Sequence, residues 1–500
     1  MPKTEPRALH LLHPGWTLAL PFLALTCLML CRPDRVLYTS LISTSIYALM
    51  QWIFPSCRLR VDHYFCPMNV ALVLMSLRLA VVPMLVMTTG PESRVLAVLP
   101  SLSSMEGALL IDTLAYIAFC LSLALAPRRL MMPRSPVIAH LLSQTPGFAM
   151  TWAFAAIGML GFFWAFGAPS NLLLFYSDPD QIAEFQKSLE GTLRGLFSTI
   201  FRPFFAYALV AWWSRVADKS IAAFPNVPQG GSGRPVIVGL VAAVGITIAN
   251  ITFNFNRAAF VFPLICLTAV YSARVRRIPL GATVMAMMLI LPLLIAIETY
   301  RAGFQPGAKK TEATLESIMG SISENVQAYS PGPQYAGLFY DKIGWGEHLY
   351  LGSTIVYSIM TPVPLFGKSF REDNGPALFN YALYGFRGNE DQIIPYSTEL
   401  FANFHAPGVI AGFMLLGLFL SQAERWFHAA QSTFAAFSIQ YVSLWAALLV
   451  VWSISVYSQI MIYFFCPIYF YLAVFHARAW LRAFNPRRLP PHQSPIGVTS

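Results

Sequence analysis

Long apolar runs recur along almost the whole sequence, and they constrain the fold more than any other feature. Hydrophobic residues make up 56% of the 500 residues and charged residues only 11%, whereas ordinary soluble domains carry roughly 25% charged residues. So few charges cannot cover the surface of a soluble protein, so most of this chain is expected to lie in a lipid bilayer. The composition also excludes a disordered chain, a collagen-like repeat and a disulfide scaffold.

A transmembrane helix needs roughly 20 mostly apolar residues, and the runs predict an all-α polytopic membrane helix bundle of about twelve transmembrane helices. Transmembrane helices 1–9 are expected in residues 1–299 and helices 10–12 in residues 405–482. A large extracytoplasmic loop at 300–404, with amphipathic or re-entrant helices, separates the two groups, and a cytoplasmic tail occupies 483–500. The apolar runs are Trp16–Cys31, Val36–Phe54, Asn69–Thr89, Ala108–Ala126, Ala149–Gly167, Ile200–Trp213, Pro235–Phe253, Ala258–Tyr271, Leu280–Thr299, His405–Gln422 and the stretch Phe434–Trp480, which is long enough for two helices.

Lys and Arg residues are concentrated in alternate short loops, which sets the orientation of the bundle. The cations near 58–60, 128–134, 215–234 and 274–277 all fall on the cytoplasmic side if the N-terminus is cytoplasmic. The Arg residues near the C-terminus also lie on the cytoplasmic side only if the number of spans is even, and twelve spans meet this condition. Both termini are therefore expected in the cytoplasm. The net charge of +10 then belongs largely to cytoplasmic loops, and no nucleic-acid partner is expected.

Lys and Arg residues on the outer side are unusual, because this bias places cations in cytoplasmic loops, so a function for them has to be considered. Arg257 begins one span and Arg301 follows the next, and two spans that flank a short loop are usually neighbours. Their guanidinium groups are therefore expected to face one outer cavity and to bind the phosphate oxygens of an anionic headgroup. Lys309 and Lys310 come shortly afterwards. The alternative is that the arginines anchor helix ends or pair locally, as Glu298 can with Arg301.

Three stretches in the second half of the chain form a pattern. One opens a span, one follows the next span, and one joins a proline-rich turn to a block that leads into a glycine-rich segment. They are Asn256-Arg257-Ala258-Ala259, then Tyr300-Arg301, then Pro362-Val363-Pro364-Leu365-Phe366 with Ser397-Thr398-Glu399-Leu400-Phe401-Ala402-Asn403-Phe404 and Gly408–Gly412. Together they resemble the O-antigen polymerase and oligosaccharide repeat-unit polymerase family of bacterial inner-membrane proteins. The family block reads Gly-Glu-aromatic-Asn-Phe-Gly; Thr398 and His405 stand where its two glycines are expected.

The resemblance implies a GT-C-like glycosyltransferase that acts at the outer face of the inner membrane. Family members join oligosaccharide units carried on undecaprenyl diphosphate: a hydroxyl of one unit attacks the sugar bonded to the diphosphate of the growing chain, and the lipid diphosphate leaves. Cations stabilise the charge on that leaving group, and a carboxylate or imidazole orients or deprotonates the hydroxyl. The implied diphosphate-binding residues are Arg257, Arg301, Lys309, Lys310 and Arg371, and the implied catalytic residues are Glu399, Asp391 and His405.

The resemblance implies neither a metal nor another cofactor. The implied partners are the undecaprenyl-diphosphate-linked oligosaccharide, the lipid bilayer, and a chain-length regulator and a flippase of the same pathway. Each catalytic residue also has a structural interpretation. Glu399 can cap a helix, His405 can be a turn residue, and Asp391 can pair with Arg387 in the same loop.

Two other functions remain open. An O-antigen ligase, which transfers the glycan to lipid A core, requires an essential outer histidine, so His348 and His405 are informative. A flippase or transporter for lipid-linked oligosaccharides is expected to show internal repetition and polar residues near the membrane midplane. This chain instead concentrates its polar residues after the ninth span. Arg78 and Asp112, which lie within neighbouring spans, are expected to form a structural ion pair.

Overall fold

The regular secondary structure of the protein is helical throughout the residues that the structure describes, with no β-strand among them. This confirms the prediction of an all-α chain. The computed structural model describes residues 12–60, 63–91, 98–126, 142–166, 193–223, 234–251, 257–279, 326–346, 349–363, 367–385 and 392–484, with isolated positions at 96, 281, 285 and 323–324.

The longer helices lie in the regions where the sequence has apolar runs. A π-helical turn at Leu77–Val81 interrupts the helix that contains it, and a second π-helical turn lies at Ile460–Phe464. In chain order the helices are α1 Ala19–Leu30, α2 Thr39–Ile53, α3 Pro67–Thr89, α4 Leu102–Leu125, α5 Phe148–Phe166, α6 Leu193–Ala223, α7 Arg234–Ile251, α8 Arg257–Arg274, α9 Pro333–Ile343, α10 Ser353–Met360, α11 Gly375–Tyr384, α12 Tyr396–Ala429, α13 Thr433–Val450, α14 Ile454–Phe464 and α15 Cys466–Phe484.

Five of the described helices are long and apolar enough to cross a membrane: α3, α4, α6, α12 and α13. The pair α14 and α15 makes a sixth if it is one span, although its two halves are bent by 48°. Shorter apolar helices lie at Pro14–Leu30, Phe148–Trp164, Arg234–Ala249 and Val261–Arg274. The chain is therefore a multi-pass helical protein of the membrane type. The total of about twelve spans stays a prediction, and most of its ninth member, Leu280–Thr299, lies outside the described residues.

Glycines let several of these helices approach closely. A Cβ atom built on Gly161 of α5 would lie 3.3 Å from the carbonyl oxygen of Phe197 in α6, and one on Gly158 would lie 3.2 Å from the backbone nitrogen of Phe205. In lipid, where apolar surface does not drive helices together, such close backbone packing supplies much of the association energy. The pair α5 and α6 is held in this way.

Contacts between helix ends bring the ends of α6, α8 and α12 together with the start of α13, next to the cations Arg274, Arg276 and Arg277. Asp218 near the end of α6 accepts hydrogen bonds from the N–H of Thr433 (3.1 Å) and from its hydroxyl (2.5 Å) at the start of α13. Arg274, at the end of α8, donates to the carbonyl of Ala430, just after α12. We call this the basic end. The predicted orientation requires these segments to share one side, and their contacts satisfy that requirement; which side of the membrane it faces stays a prediction.

The described part of the loop predicted at 300–404 folds onto the bundle. Helix α9 packs along α4 so closely that a Cβ atom on Gly337 would lie 2.9 Å from the carbonyl carbon of Ser104. Asp341 of α9 accepts hydrogen bonds from the Ser104 hydroxyl and from the indole N–H of Trp345 (2.9 Å). The amphipathic or re-entrant helices expected in this loop are only partly described, because residues 300–322 lie outside the described residues, as does the tail at 485–500.

Candidate functional site

Helix α12 folds back on itself at its tenth residue, His405. Its 34 residues would span about 51 Å at about 1.5 Å per residue, which exceeds a hydrocarbon core of about 30 Å. The rings of Tyr396 and Phe413 lie 5.5 Å apart, so the first segment runs beside the second instead of extending it. The reversal occurs at His405, whose backbone has φ 58° and ψ −156°. The turn falls where the sequence analysis starts its tenth span.

Glu399 lies in the first segment of α12 and is 0% exposed. The hydroxyl of Ser358 in α10 donates to its Oε1 (2.8 Å), and the backbone N–H of Ile454 donates to its Oε2 (3.1 Å). Ile454 is the first residue of α14, so the carboxylate satisfies one of the free N–H groups at that helix end. Glu399 therefore caps a helix, but a different one from the helix that contains it.

Asn403 stands four residues after Glu399 on the same helix face. Its Nδ2 donates to the carbonyl of Glu399 (2.7 Å) and to the Thr354 hydroxyl (2.6 Å), and its Oδ1 accepts from the N–H of Gly352 (2.9 Å). The amide side chain thereby joins α12 to the start of α10. We call Glu399, Asn403, Ser358 and Thr354 the buried polar cluster, since each of them is at most 4% exposed.

The predicted ion pair between Arg78 and Asp112 is confirmed. Nη2 of Arg78 lies 2.6 Å from Oδ2 of Asp112, and both side chains are buried. The Ser397 hydroxyl donates to Oδ1 of Asp112 (2.7 Å), which connects the pair to the first segment of α12. Arg78 belongs to the π-helical turn of α3 and also donates to the carbonyl of Val450 (2.5 Å). The guanidinium thus bridges three elements in the interior.

Together these contacts place opposite charges at the break between α13 and α14, residues 451–453. Arg78 lies at the carbonyl end of α13, and Glu399 lies at the amide end of α14. The C-terminal end of a helix carries partial negative charge and the N-terminal end partial positive charge, so both charges have the favourable sign. The break is therefore held by electrostatics from two sides.

The His405 turn is surrounded by aromatic rings and by further unusual backbone. The imidazole lies 4.7 Å from the ring of Phe401, and its Nε2 is 3.4 Å from the carbonyl oxygen of Gly346. Trp345 (φ 50°) and Leu351 (φ 47°) share the positive φ of His405, and among the described residues no other residue except glycine does. The three positions with positive φ lie close together. The N–H of residue 350 bonds to the carbonyl of residue 402 (3.2 Å), and the carbonyl of Gly346 is next to the imidazole of His405.

The outer cations of the sequence analysis are mostly outside what the structure describes. Arg257 begins α8, as the span assignment implies, but its side chain is not among those described. Arg371 is exposed in the loop after a short 3-10 helix at Gly367–Phe370. A shared cavity for Arg257 and Arg301 therefore stays a prediction. The predicted site residues that lie outside the described residues are Arg301, Lys309, Lys310 and Asp391, and the same holds for His348.

Sequence reasoning singled out Glu399 but not its partners. Ser358 and Thr354 are small hydroxyl residues that no motif marks, and they lie far from Glu399 and Asn403 along the chain. Ser397 belongs to the block that carries the family resemblance, but nothing in that block indicates that its partner is Asp112. Asn403 carried a signal, since its spacing of four residues from Glu399 puts both side chains on one helical face. Among the described residues, no group of three or more His, Cys, Asp or Glu residues can hold a metal ion.

The geometry restricts what these groups can do chemically. Both oxygens of Glu399 are occupied by hydrogen bonds in a fully buried setting, so the carboxylate positions helices rather than facing an incoming hydroxyl. His405 is partly exposed at the turn and is better placed to meet a ligand. In comparisons with family models, curated proteins and solved structures, the chain matches none.

Proposed function

We propose that this chain is a polytopic, GT-C-like membrane glycosyltransferase of about twelve spans in the bacterial inner membrane, with both termini in the cytoplasm. It polymerises undecaprenyl-diphosphate-linked oligosaccharide units into a surface polysaccharide such as O-antigen or exopolysaccharide. In the reaction, a hydroxyl oxygen of one unit bonds to the anomeric carbon of another. The bond from that carbon to the diphosphate breaks, and the hydroxyl proton passes to a base.

The backbone of His405 is the observation that carries this proposal. The family pattern expects glycine at this position, and φ 58° with ψ −156° belongs to a region that essentially only glycine occupies. If the turn descends from a block with glycine at this position, its backbone conformation was set by glycine and His405 has kept it. Glu399 and Asn403, the polar members of the same block, converge on one buried cluster, which also supports a common origin.

The role of each residue follows from its type and, for Glu399, also from its burial. Arg257 and Arg301, with Lys309, Lys310 and Arg371, neutralise the diphosphate on the outer side. Glu399 holds the first segment of α12 in place as a positioning residue, and Asp391 or His405 serves the acceptor hydroxyl. The chain-length regulator and the flippase of the pathway are the expected protein partners.

Two variants, Arg257→Ala and Arg301→Ala, test the proposal in cells that make the repeat unit. Each is expected to abolish long glycan chains while single lipid-linked units accumulate in the outer leaflet, measured by gel profiles and by extraction of lipid-linked sugars. Arg276→Ala is the matched control, because it removes an exposed cation at the basic end. Near-normal chain length in both variants would refute the site assignment.

A transporter for the same lipid-linked sugar is the second candidate function. Ion pairs buried within spans, such as Arg78 with Asp112, also occur along the substrate pathways of transport proteins. Loss of the units from the outer leaflet in the Arg257→Ala and Arg301→Ala variants, with normal units inside, would favour transport. The ligase alternative predicts that His405→Gly stops glycan transfer to lipid A core while lipid-linked polymer still forms.

A further inference from the structure

The chain turns sharply after α9, at Gly344-Trp345-Gly346, and this turn places an indole ring at one end of the bundle. The three residues have φ values of 70°, 50° and 97°. Glycine adopts such angles freely, whereas a residue with a Cβ atom adopts them only where the surrounding structure imposes them. Conformations of this kind are concentrated at ligand-binding sites, so Trp345 is a candidate for contact with a ligand.

The indole ring of Trp345 is held by neighbours from α4, α9 and α12. A Cβ atom on Gly107 of α4 would overlap the ring, so only glycine leaves room for it there. The ring centroid lies 4.9 Å from that of Tyr340 in α9 and 6.3 Å from that of Phe401 in α12. Trp345 nevertheless stays partly exposed. A ring that is already fixed loses little entropy when a ligand covers its exposed part.

A carboxylate stands beside this ring. Asp341 is exposed, and its Oδ1 accepts hydrogen bonds from the indole N–H of Trp345 (2.9 Å) and from the Ser104 hydroxyl. Its Oδ2 accepts no hydrogen bond from the described residues. Because an ionised carboxylate is an acceptor at both oxygens, Oδ2 is open to the hydroxyl donors of a ligand.

The fold-back turn of α12 brings His405 to the same place. Its Nε2 lies 3.4 Å from the carbonyl oxygen of Gly346, the residue after Trp345. Its imidazole contacts the ring of Phe401, which contacts Trp345 as well, and it is partly exposed. An aromatic ring, a carboxylate and an imidazole therefore lie together where α4, α9 and α12 meet.

This meeting point lies at the end of the bundle opposite the basic end. The second segment of α12 runs from the turn at His405 to Ala429, about 36 Å at about 1.5 Å per residue. The next residue, Ala430, contacts Arg274 at the basic end. If the basic end is cytoplasmic, as the charge bias predicts, the indole ring lies on the outer side, where the proposed reaction takes place.

The chemistry of these groups suits a sugar better than a lipid headgroup. The C–H groups on one face of a sugar ring pack against an aromatic ring, and the sugar hydroxyls donate hydrogen bonds to a carboxylate. A tryptophan that anchors a protein at the membrane interface keeps its polar N–H among the headgroups. The N–H of Trp345 is instead bonded to Asp341, whose negative charge repels phosphate.

We propose that Trp345 and Asp341 form a glycan-binding subsite. One sugar ring of the oligosaccharide stacks on the indole, and its hydroxyls donate to Oδ2 of Asp341. This places the following part of the glycan beside His405, which the proposed function assigns to the acceptor hydroxyl. The inference rests on the proposed function for the identity of the glycan, which is the repeat unit.

Binding of the free repeat-unit oligosaccharide to the purified full-length chain in detergent tests the subsite. The probe is released by mild acid from the lipid-linked units of the cell, and saturation-transfer NMR measures its dissociation constant and the sugar protons that contact the protein. Trp345→Leu is expected to raise the dissociation constant about tenfold, and Trp345→Phe, which keeps an aromatic face, is expected to raise it less. Asp341→Asn is expected to raise it about fivefold through loss of the charge.

Trp152→Leu is the matched control, since Trp152 is 61% exposed on α5, a helix that contributes nothing to the subsite. Asp341→Asn decides the matter if Trp345→Leu does not fold, because an amide oxygen still accepts from Ser104 and Trp345. Unchanged affinity in the Trp345 and Asp341 variants, or an equal loss in the control, would overturn the subsite.

The same assay separates this inference from the proposed function. The free oligosaccharide carries no diphosphate, so its binding is measured independently of the outer arginines. Normal chain length in the Arg257→Ala and Arg301→Ala variants, together with weaker oligosaccharide binding in Trp345→Leu, would refute the polymerase site and support the subsite. Loss of long chains in the arginine variants with unchanged binding in Trp345→Leu would refute the subsite alone.

Discussion

Replacement of His405 by glycine tests whether the fold-back turn of α12 stores backbone strain. With φ 58° and ψ −156°, this position has a conformation that costs any residue with a Cβ atom about 1–3 kcal/mol. Glycine removes that cost but loses about 0.5–1 kcal/mol through the greater entropy of the unfolded chain. Both glycine and alanine lose the imidazole, which lies 4.7 Å from the ring of Phe401.

The comparison of His405→Gly with His405→Ala isolates the strain, because both variants remove the same ring contact. The glycine variant is expected to be more stable than the alanine variant by about 1–2 kcal/mol, the difference between the strain relieved and the entropy lost. Chemical or thermal unfolding of the purified protein in detergent measures this difference. Ala406→Gly is the neighbouring control, and helix geometry predicts that it destabilises by about 0.5–1 kcal/mol. Equal stability of the two His405 variants, or a more stable alanine variant, would refute the assignment of strain.

Three further predictions concern other buried features. Asp112→Asn leaves the Arg78 guanidinium buried without its counter-charge and should lower the free energy of unfolding by about 3–5 kcal/mol, measured in the same assay. A Cβ atom on Gly375 would overlap the carboxylate of the buried polar cluster, so Gly375→Ala should destabilise by about 1–3 kcal/mol, whereas Gly147→Ala, with open space around it, should have no such effect. Because the folded state keeps His63 neutral with a pKa of about 3, the unfolded chain binds more protons below about pH 6.5. Stability should therefore fall as the pH drops, by about 2 kcal/mol at pH 5, and His63→Phe should remove that part of the pH dependence.

The helical class and the approximate placement of the spans follow from the sequence. Apolar runs such as Asn69–Thr89 and Ala108–Ala126 coincide closely with α3 and α4. In hydrocarbon a chain must satisfy its own backbone hydrogen bonds, so a run of that length and composition becomes a helix whatever its neighbours are. The pairing of Arg78 with Asp112 was also predictable, since a buried charge needs a counter-charge and these two lie in consecutive spans.

The interior of the site was decided by the tertiary structure alone. Ser397 meets Asp112 across 285 residues, and Arg78 meets the carbonyl of Val450 across 372 residues. Periodicity reports which face of a helix is apolar, but it does not report which distant hydroxyl or carbonyl comes to lie against that face. The positive φ of His405 likewise arises because packing on both sides of the turn fixes the backbone there. Local preference thus determined the helices, and long-range packing determined the partners of their buried polar groups.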